Sequence, residues 1–66
     1  MQIHLNGHAH HCDEGTTLAQ LLAEAGYADR RVAIEVNRDI VPRSQHAQHV
    51  LRGGDEVEIV HAIGGG

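Results

Sequence analysis

One segment of the chain has the periodicity of a helix, while the segments on both sides of it alternate as strands do. Its apolar side chains recur at i, i+3, i+4 and i+7, on one helical face: Leu18, Leu21, Leu22 and Ala25. Thr17 and Gln20 have the spacing of a capping box, and Gly26 stands where a left-handed cap is expected. A helix of about two to three turns is not stable alone in water, so this one must pack on a sheet.

The residues before the helix predict a hairpin. Residues 1–5 alternate between apolar and polar side chains, and residues 8–12 are predicted as the returning strand. Asn6-Gly7 between them is a strong hairpin signal, because both residues tolerate the positive φ that a tight turn requires. A β-hairpin is therefore expected ahead of the helix.

Three further elements are predicted after the helix. Residues 32–36 alternate as a half-buried strand, and residues 40–41 precede a proline, which favours a short edge strand. Ser44 is predicted to cap a brief helical turn. The apolar residues of that turn, at i, i+3 and i+4, are Ala47, Val50 and Leu51. A Gly-Gly-Asp turn at residues 53–55 then leads into the last strand.

One helix laid across a mixed four- to five-stranded sheet buries every apolar face described above. The pattern therefore predicts an α+β fold, the β-grasp, with the first and last strands adjacent and parallel at the centre. A ferredoxin-like fold would need a second full helix, for which residues 44–51 are too few. The 66 residues allow one small domain, assigned to residues 1–63, followed by a glycine tail at residues 64–66.

Charge and cysteine content exclude several classes of protein. Nine acidic and five basic residues give a net charge of −4, and the five arginines are scattered, so nucleic-acid binding is not expected. No apolar run is long enough for a signal peptide or a transmembrane segment, so no membrane association is expected. Cys12 is the only cysteine, which excludes an intramolecular disulfide and fits a reducing, cytoplasmic location.

The sequence closes on Gly64-Gly65-Gly66, directly after the apolar run Val57–Ile63. A terminus without side chains can enter a narrow channel of another protein, where its carboxylate can be activated. If Val57 faces the helix, Val60 faces outward with Ala62 beyond it, and an apolar docking patch of Val60, Ala62 and Ile63 would lead to the tail. The alternatives are a frayed tail and ordinary isolated surface apolar residues.

Five motifs occur in order along the chain: Val36-Asn37, Ile40-Val41-Pro42-Arg43, Leu51-Arg52-Gly53-Gly54-Asp55, Val57-Glu58-Ile59-Val60 and Gly64-Gly65-Gly66. Together they closely resemble the ThiS family of sulfur carrier proteins in thiamin biosynthesis. The resemblance covers essentially the whole chain and implies the ubiquitin-like β-grasp fold. It also implies a carrier that serves as a cosubstrate rather than an enzyme.

The resemblance implies a reactive position and a set of partners. Gly66 would be adenylated by a ThiF-type adenylyltransferase that uses ATP and magnesium, with Gly64 and Gly65 threading into that enzyme. Sulfur from a cysteine desulfurase pathway would then give a thiocarboxylate, which thiazole synthase (ThiG) would use to build the thiazole ring. The chain itself would bind no cofactor and would be a monomer when alone.

Three other functions remain as alternatives. The small subunit of molybdopterin synthase is a related sulfur carrier, but its chains are usually longer. A ubiquitin-like modifier would use the same activated glycine to form isopeptide bonds. This chain has no lysine, so it could modify other proteins but could not build lysine-linked chains of itself. A histidine-based metal-binding module would give Gly66 no role.

Seven histidines are many for this length, and several lie in the segment His8–Cys12. On a strand, His8, His10 and Cys12 would share one face, yet zinc takes four ligands and about two could come from here. We therefore expect no metal site. A two-residue turn would set His10 opposite Ile3 on the core side, a conflict that a longer loop would remove. Cys12 is predicted to be a small buried apolar residue rather than a sulfur relay.

Overall fold

A computed structural model describes residues 1–28 and 30–61 of the chain. Its elements, in chain order, are β1 (Gln2–Leu5), β2 (His8–His11), α1 (Leu18–Glu24), β3 (Val32–Val36), β4 (Asp39–Ile40), a 3₁₀ turn (Arg43–Gln45) and β5 (Glu56–His61). These bounds confirm the predicted hairpin, helix and later strands to within one or two residues.

The five strands form one mixed sheet in the order β2-β1-β5-β3-β4. Strands β1 and β5 pair in parallel at the centre, with His4 opposite Glu56 and Leu5 opposite Val57. The other three strand pairs are antiparallel. This topology, with one helix packed on the sheet, confirms the predicted ubiquitin-like β-grasp.

Helix α1 begins and ends as the sequence predicts. The Gln20 amide donates to the Thr17 hydroxyl at 3.2 Å, and the Thr17 amide donates to the Gln20 side-chain oxygen at 2.9 Å. These two bonds form the capping box and satisfy amides that have no partner within the helix. Beyond the helix end, Gly26 has φ +89°, a left-handed conformation that glycine adopts without strain.

The core lies between α1 and one face of the sheet. Leu18 and Leu21 from the helix and Ile3 from β1 are completely buried. Each such side chain stabilises the fold by about 1.5–3 kcal/mol relative to an exposed one. Cys12 is 6% exposed and belongs to the same cluster, as predicted for a small apolar residue. The other buried apolar residues are Leu22, Ile34, Val36, Val41, Leu51, Val57 and Ile59.

The first hairpin has the short turn, so the longer loop considered above does not occur. Asn6 and Gly7 are the two turn residues, with φ of +51° and +82°. The register therefore sets Ile3 opposite His10 on the core side of the sheet. His10 is only half-buried there, because β2 is an edge strand whose core-side positions are incompletely covered. A fully buried imidazole would conflict with an apolar core, and the partial exposure of His10 at the edge of the sheet avoids that conflict.

The prediction for residues 44–51 is wrong in two respects. The helical turn is a 3₁₀ turn preceded by Pro42, with no side-chain cap, so Ser44 is not a cap. Val50 does not share a buried face with Leu51, because it is 53% exposed and forms an isolated bridge with Thr17.

Two backbone hydrogen bonds explain this difference. The Leu18 amide donates to the His49 carbonyl at 2.8 Å, and the Leu51 amide donates to the Thr16 carbonyl at 2.9 Å. They hold residues 49–51 in an extended conformation beside the start of α1. Neighbouring side chains of an extended segment point to opposite sides, so Leu51 enters the core while the residue before it faces outward.

Candidate functional site

Strand β5 leads toward the glycine tail, and it is held on both sides. It pairs with β1 in parallel and with β3 along its length, where the last pair is Val32 with His61. Val57 and Ile59 point into the core and are 1% and 8% exposed. The described part of the chain therefore ends on a central strand that is anchored by pairing and by burial.

The opposite side of β5 belongs to a sheet face that α1 does not cover. Glu56 and Glu58 are exposed on this face, and Val60 is 41% exposed. This alternation confirms the predicted orientation of the strand. Val60 lies opposite Ala33 of β3, which is also exposed.

A second exposed apolar residue lies on the same open face. Ile40 of the edge strand β4 is 70% exposed and is registered opposite Glu35. Glu35 is in turn opposite Glu58 on β5. The face thus presents apolar groups at Val60 and Ile40 with two carboxylates between them. Such a mixed surface is suited to contact with another protein.

The remaining residues predicted for the site lie outside the described part of the chain. They are Ala62 and Ile63 of the docking patch, Gly64 and Gly65 of the threading segment, and Gly66, the reactive position. Their roles stay predictions. The structure places Val60, the one docking residue that it describes, on the open face at the end of β5.

A polar cluster that sequence reasoning did not find fixes the start of β5. The Asn37 side-chain amide donates to Asp55 Oδ1 at 3.0 Å, and the Glu56 amide donates to Asn37 Oδ1 at 3.0 Å. The second Asp55 oxygen accepts from the Arg52 amide at 2.8 Å. These residues belong to the Val-Asn and Gly-Gly-Asp motifs singled out above. In this structure the motifs position β5 rather than contribute reactive groups.

Asn6 also holds β5 in place, at a point farther along that strand. Its backbone amide donates to the Val57 carbonyl at 2.9 Å. Its side-chain oxygen accepts from the Ile59 amide at 2.8 Å, a contact between residues 53 positions apart in the chain. Because β1 ends at Leu5, Asn6 extends the β1–β5 pairing beyond the end of β1 by using its side chain.

Possible metal ligands and surface depressions are the remaining features of the described residues. Across 1–28 and 30–61, no group of three or more His, Cys, Asp or Glu side chains is arranged to hold a metal ion. A shallow depression on the open face is lined by His4, Gly7, Glu56, Val57 and Glu58. In the same part of the chain, no helix is long and apolar enough to cross a membrane.

Comparison with known proteins identifies the family. A family model described as the ThiS family matches residues 3–66. The chain belongs to the ThiS family. It is 38% identical to the sulfur carrier protein ThiS of Escherichia coli, over the whole length of both chains. It is also similar to the crystal structure of the ThiS thiamine biosynthesis protein from Geobacter metallireducens, with a TM-score of 0.86, 28% identity and full coverage of both chains.

Two longer proteins also contain a segment similar to this ThiS-family chain. The thiazole synthases of Magnetococcus marinus and Paramagnetospirillum magneticum are 47% and 42% identical to it over 66 residues. These residues are the whole of this chain but 20% of each synthase, so the chain spans about a fifth of the length of these relatives.

Proposed function

We propose that this chain is a sulfur carrier protein of thiamin biosynthesis and that it carries sulfur on the carboxyl group of Gly66. The observation that carries the proposal is the similarity to the Escherichia coli sulfur carrier protein along the full length of both chains. The family assignment supports it as well. In this role the chain is a cosubstrate that other enzymes modify, and it need not hold a catalytic centre of its own.

The proposed chemistry has two steps at one carbonyl carbon. A carboxylate oxygen of Gly66 attacks the α-phosphorus of ATP, pyrophosphate leaves, and an acyl adenylate forms. A persulfide sulfur then attacks the acyl carbon and AMP leaves, which gives an acyl disulfide. A thiol then attacks the outer sulfur of this disulfide and is oxidised to a new disulfide, while the thiocarboxylate leaves. Forming the adenylate first replaces a poor electrophile with one that has a good leaving group. ATP and magnesium belong to the ThiF-type adenylyltransferase, and the sulfur comes from a cysteine desulfurase pathway.

Thiazole synthase is the proposed acceptor of the sulfur. Support comes from the two thiazole synthases that contain a segment similar to the whole of this chain. In those proteins a related sequence is covalently joined to the rest of the synthase. A covalent link raises the effective concentration of two domains that must bind each other repeatedly. The joined arrangement is therefore what we would expect of a carrier and its acceptor, and a separate carrier would have to bind the synthase anew in each cycle.

Docking is proposed to occur through the open sheet face at the end of β5. Ordering a flexible tail inside an enzyme costs about 1–2 kcal/mol per residue in backbone entropy, so contacts elsewhere must offset that loss. Val60 is exposed on this face at the end of the strand, and it supplies apolar area there. Ala62 and Ile63 would continue the docking patch toward Gly64 and Gly65.

Reconstitution tests the proposal directly. The protein is incubated with ATP, magnesium, a ThiF-type enzyme, a cysteine desulfurase, cysteine and a thiol reductant, and its intact mass is measured. We expect the gain of one oxygen-to-sulfur exchange, located by cleavage after Arg52 in the peptide 53–66. A variant that lacks Gly66 is the control and should gain no sulfur while keeping the same unfolding midpoint. Sulfur on any other peptide, or thiazole formation with the shortened variant, would overturn the proposal.

A further inference from the structure

The chain has two asparagines, and both lie in two-residue turns between antiparallel strands. Asn6 joins β1 to β2 and has φ +51°, while Asn37 joins β3 to β4 and has φ +52°. The residues that follow them, Gly7 and Arg38, also have positive φ, at +82° and +72°. The two turns are therefore matched in backbone conformation and differ in the second residue.

The side-chain oxygens of the two asparagines are also held in the same way, although the Asn37 side-chain amide donates in addition to Asp55. The side-chain oxygen of Asn6 accepts from the Ile59 amide at 2.8 Å, and that of Asn37 accepts from the Glu56 amide at 3.0 Å. Both donors are backbone groups of β5. Each asparagine therefore fixes one point of this central strand, and a chemical change at either side chain acts on the strand.

We propose that Asn6 is a site of spontaneous deamidation and that Asn37 is not. In this reaction the backbone nitrogen of the next residue bonds to the asparagine Cγ, the Cγ–Nδ2 bond breaks, and ammonia leaves. Water then opens the resulting five-membered succinimide at either carbonyl and gives aspartate or isoaspartate. Water is the only co-reactant, and no electron transfer is involved.

The residue after asparagine decides between the two turns. Gly7 has no Cβ, so nothing shields its backbone nitrogen from Cγ of Asn6. Arg38 carries a Cβ and a long side chain beside the corresponding nitrogen, which hinders ring closure at Asn37. The two turns share their backbone conformation, and the additional hydrogen bond from Asn37 to Asp55 restrains the Asn37 Cγ further. Both differences therefore favour deamidation at Asn6.

The hydrogen bond between the Asn6 side chain and the Ile59 amide of β5 limits the rate of deamidation in the folded protein. While the Asn6 oxygen accepts from Ile59, its Cγ is held toward β5, and ring closure requires release of that bond. Deamidation is therefore slower in the folded chain than in the unfolded chain. Exposure of the turn itself places no further restriction, because both Asn6 and Gly7 are exposed.

Deamidation at this turn would disturb β5. The new carboxylate at position 6 would stand beside the depression lined by Gly7, Glu56 and Glu58, where like charges repel. Isoaspartate also adds a backbone atom to a two-residue turn that sets Leu5 opposite His8. Isoaspartate therefore displaces the oxygen that accepts from the Ile59 amide, whereas the aspartate product keeps a carboxylate oxygen that can still accept from it. This inference does not depend on the sulfur chemistry proposed above.

Mass spectrometry of the aged protein tests the proposal. The whole chain is incubated at mildly alkaline pH, sampled over time and cleaved after arginine, which places Asn6 in the peptide 1–30 and Asn37 in the peptide 32–38. We expect conversion of Asn6 to exceed that of Asn37 by about tenfold or more, because glycine alone lacks a shielding Cβ. Urea at an unfolding concentration should raise the Asn6 rate. Equal conversion of the two asparagines would overturn the assignment.

A reciprocal variant makes the test sharper. Arg38→Gly gives the second turn the Asn-Gly sequence at a residue whose positive φ glycine accepts, so the fold is kept. In urea, where the hydrogen bond between Asn37 and Asp55 is also lost, we expect this variant to deamidate at Asn37 as well as at Asn6. No conversion of Asn37 under these conditions would contradict the steric argument. In the isoaspartate fraction of the wild-type protein, the Ile59 amide should exchange with solvent faster. Unchanged protection of that amide would overturn the predicted effect on β5.

Discussion

Asn37 and Asp55 are 18 residues apart in the chain, and a hydrogen bond of 3.0 Å joins their side chains at the start of β5. The same asparagine accepts from the Glu56 amide, and the same aspartate accepts from the Arg52 amide. The β3–β4 turn and the turn before β5 are thereby locked together. The strand that leads to the glycine tail begins from this fixed point.

Replacing Asp55 should destabilise the domain. Asp55→Ala removes two hydrogen bonds and leaves the Asn37 amide and the Arg52 amide without their acceptor, so we expect a loss of about 1–3 kcal/mol in the free energy of unfolding. Urea denaturation checks this. Asp39→Ala is the matched control, because Asp39 is exposed in the same region and, among the described residues, no side-chain hydrogen bond involves it. Equal losses in the two variants would show that the cluster has no special role.

The adjacent glycines of the Gly-Gly-Asp turn should respond differently to alanine. Gly54 has φ +88°, whereas Gly53 has no positive φ and an added Cβ there would meet Met1 Cβ at an ordinary 3.8 Å. We expect Gly54→Ala to lower the free energy of unfolding by about 1–2 kcal/mol, because the left-handed conformation strains an L-residue. Gly53→Ala should change it by less than about 1 kcal/mol in either direction. Thermal and urea unfolding of the pair distinguish backbone strain from crowding, and the reverse order would refute this explanation.

Val60 should matter for sulfur loading but not for folding. Val60→Ser changes a residue that is 41% exposed, so stability should move by no more than about 0.5 kcal/mol. The kcat/KM for thiocarboxylate formation by a ThiF-type enzyme should fall, because apolar docking area is lost. Val50→Ser is the control, since Val50 is also exposed, at 53%, but lies beside the start of α1. If both variants are loaded as fast as the wild type, Val60 is not a docking residue.

His46 should stabilise the loop that follows β4. Its Nε2 lies 2.9 Å from the Val41 carbonyl oxygen, and since that oxygen can only accept, Nε2 carries the proton. His46→Ala leaves a carbonyl group of a buried residue without this donor, and we expect a loss of about 1–3 kcal/mol in the free energy of unfolding. His11→Ala, at an exposed position of β2, should be nearly neutral. Nitrogen-15 chemical shifts that place the proton of His46 on Nδ1 would contradict the assignment.

Local signals were sufficient to predict most of the fold. The capping box of Thr17 and Gln20, the Asn6-Gly7 turn and the alternation of β3 and β5 each involve residues close together in the chain, and the structure contains all of them. The segment after Pro42 could not be predicted in this way. Its conformation depends on the bridge between Thr17 and Val50, which joins residues far apart in sequence.

In the candidate site too, the sequence predicted the local features but not the contacts between distant residues. Strand alternation predicted that Val60 faces away from the helix, and the structure confirms this orientation. The contacts of Asn6 with Ile59 and of Asn37 with Asp55 were not predicted, because they join residues 53 and 18 positions apart and leave no periodic pattern. The Asn-Gly pair itself suggested a turn, but gave no sign that its side chain also holds β5.

The parallel pairing of β1 with β5 also has a consequence for how the domain is made. His4 pairs with Glu56, so the central ladder forms only when segments 52 positions apart in the chain (56 − 4) meet. Closing so large a loop costs chain entropy before the strand pairing contributes any stabilisation. Topologies of this kind therefore fold slowly. During synthesis the N-terminal hairpin and helix must therefore wait for β5 to leave the ribosome. In a chain interrupted before that strand, β1 keeps β2 as a partner but has one unpaired edge, which makes such a chain a natural target for proteolysis.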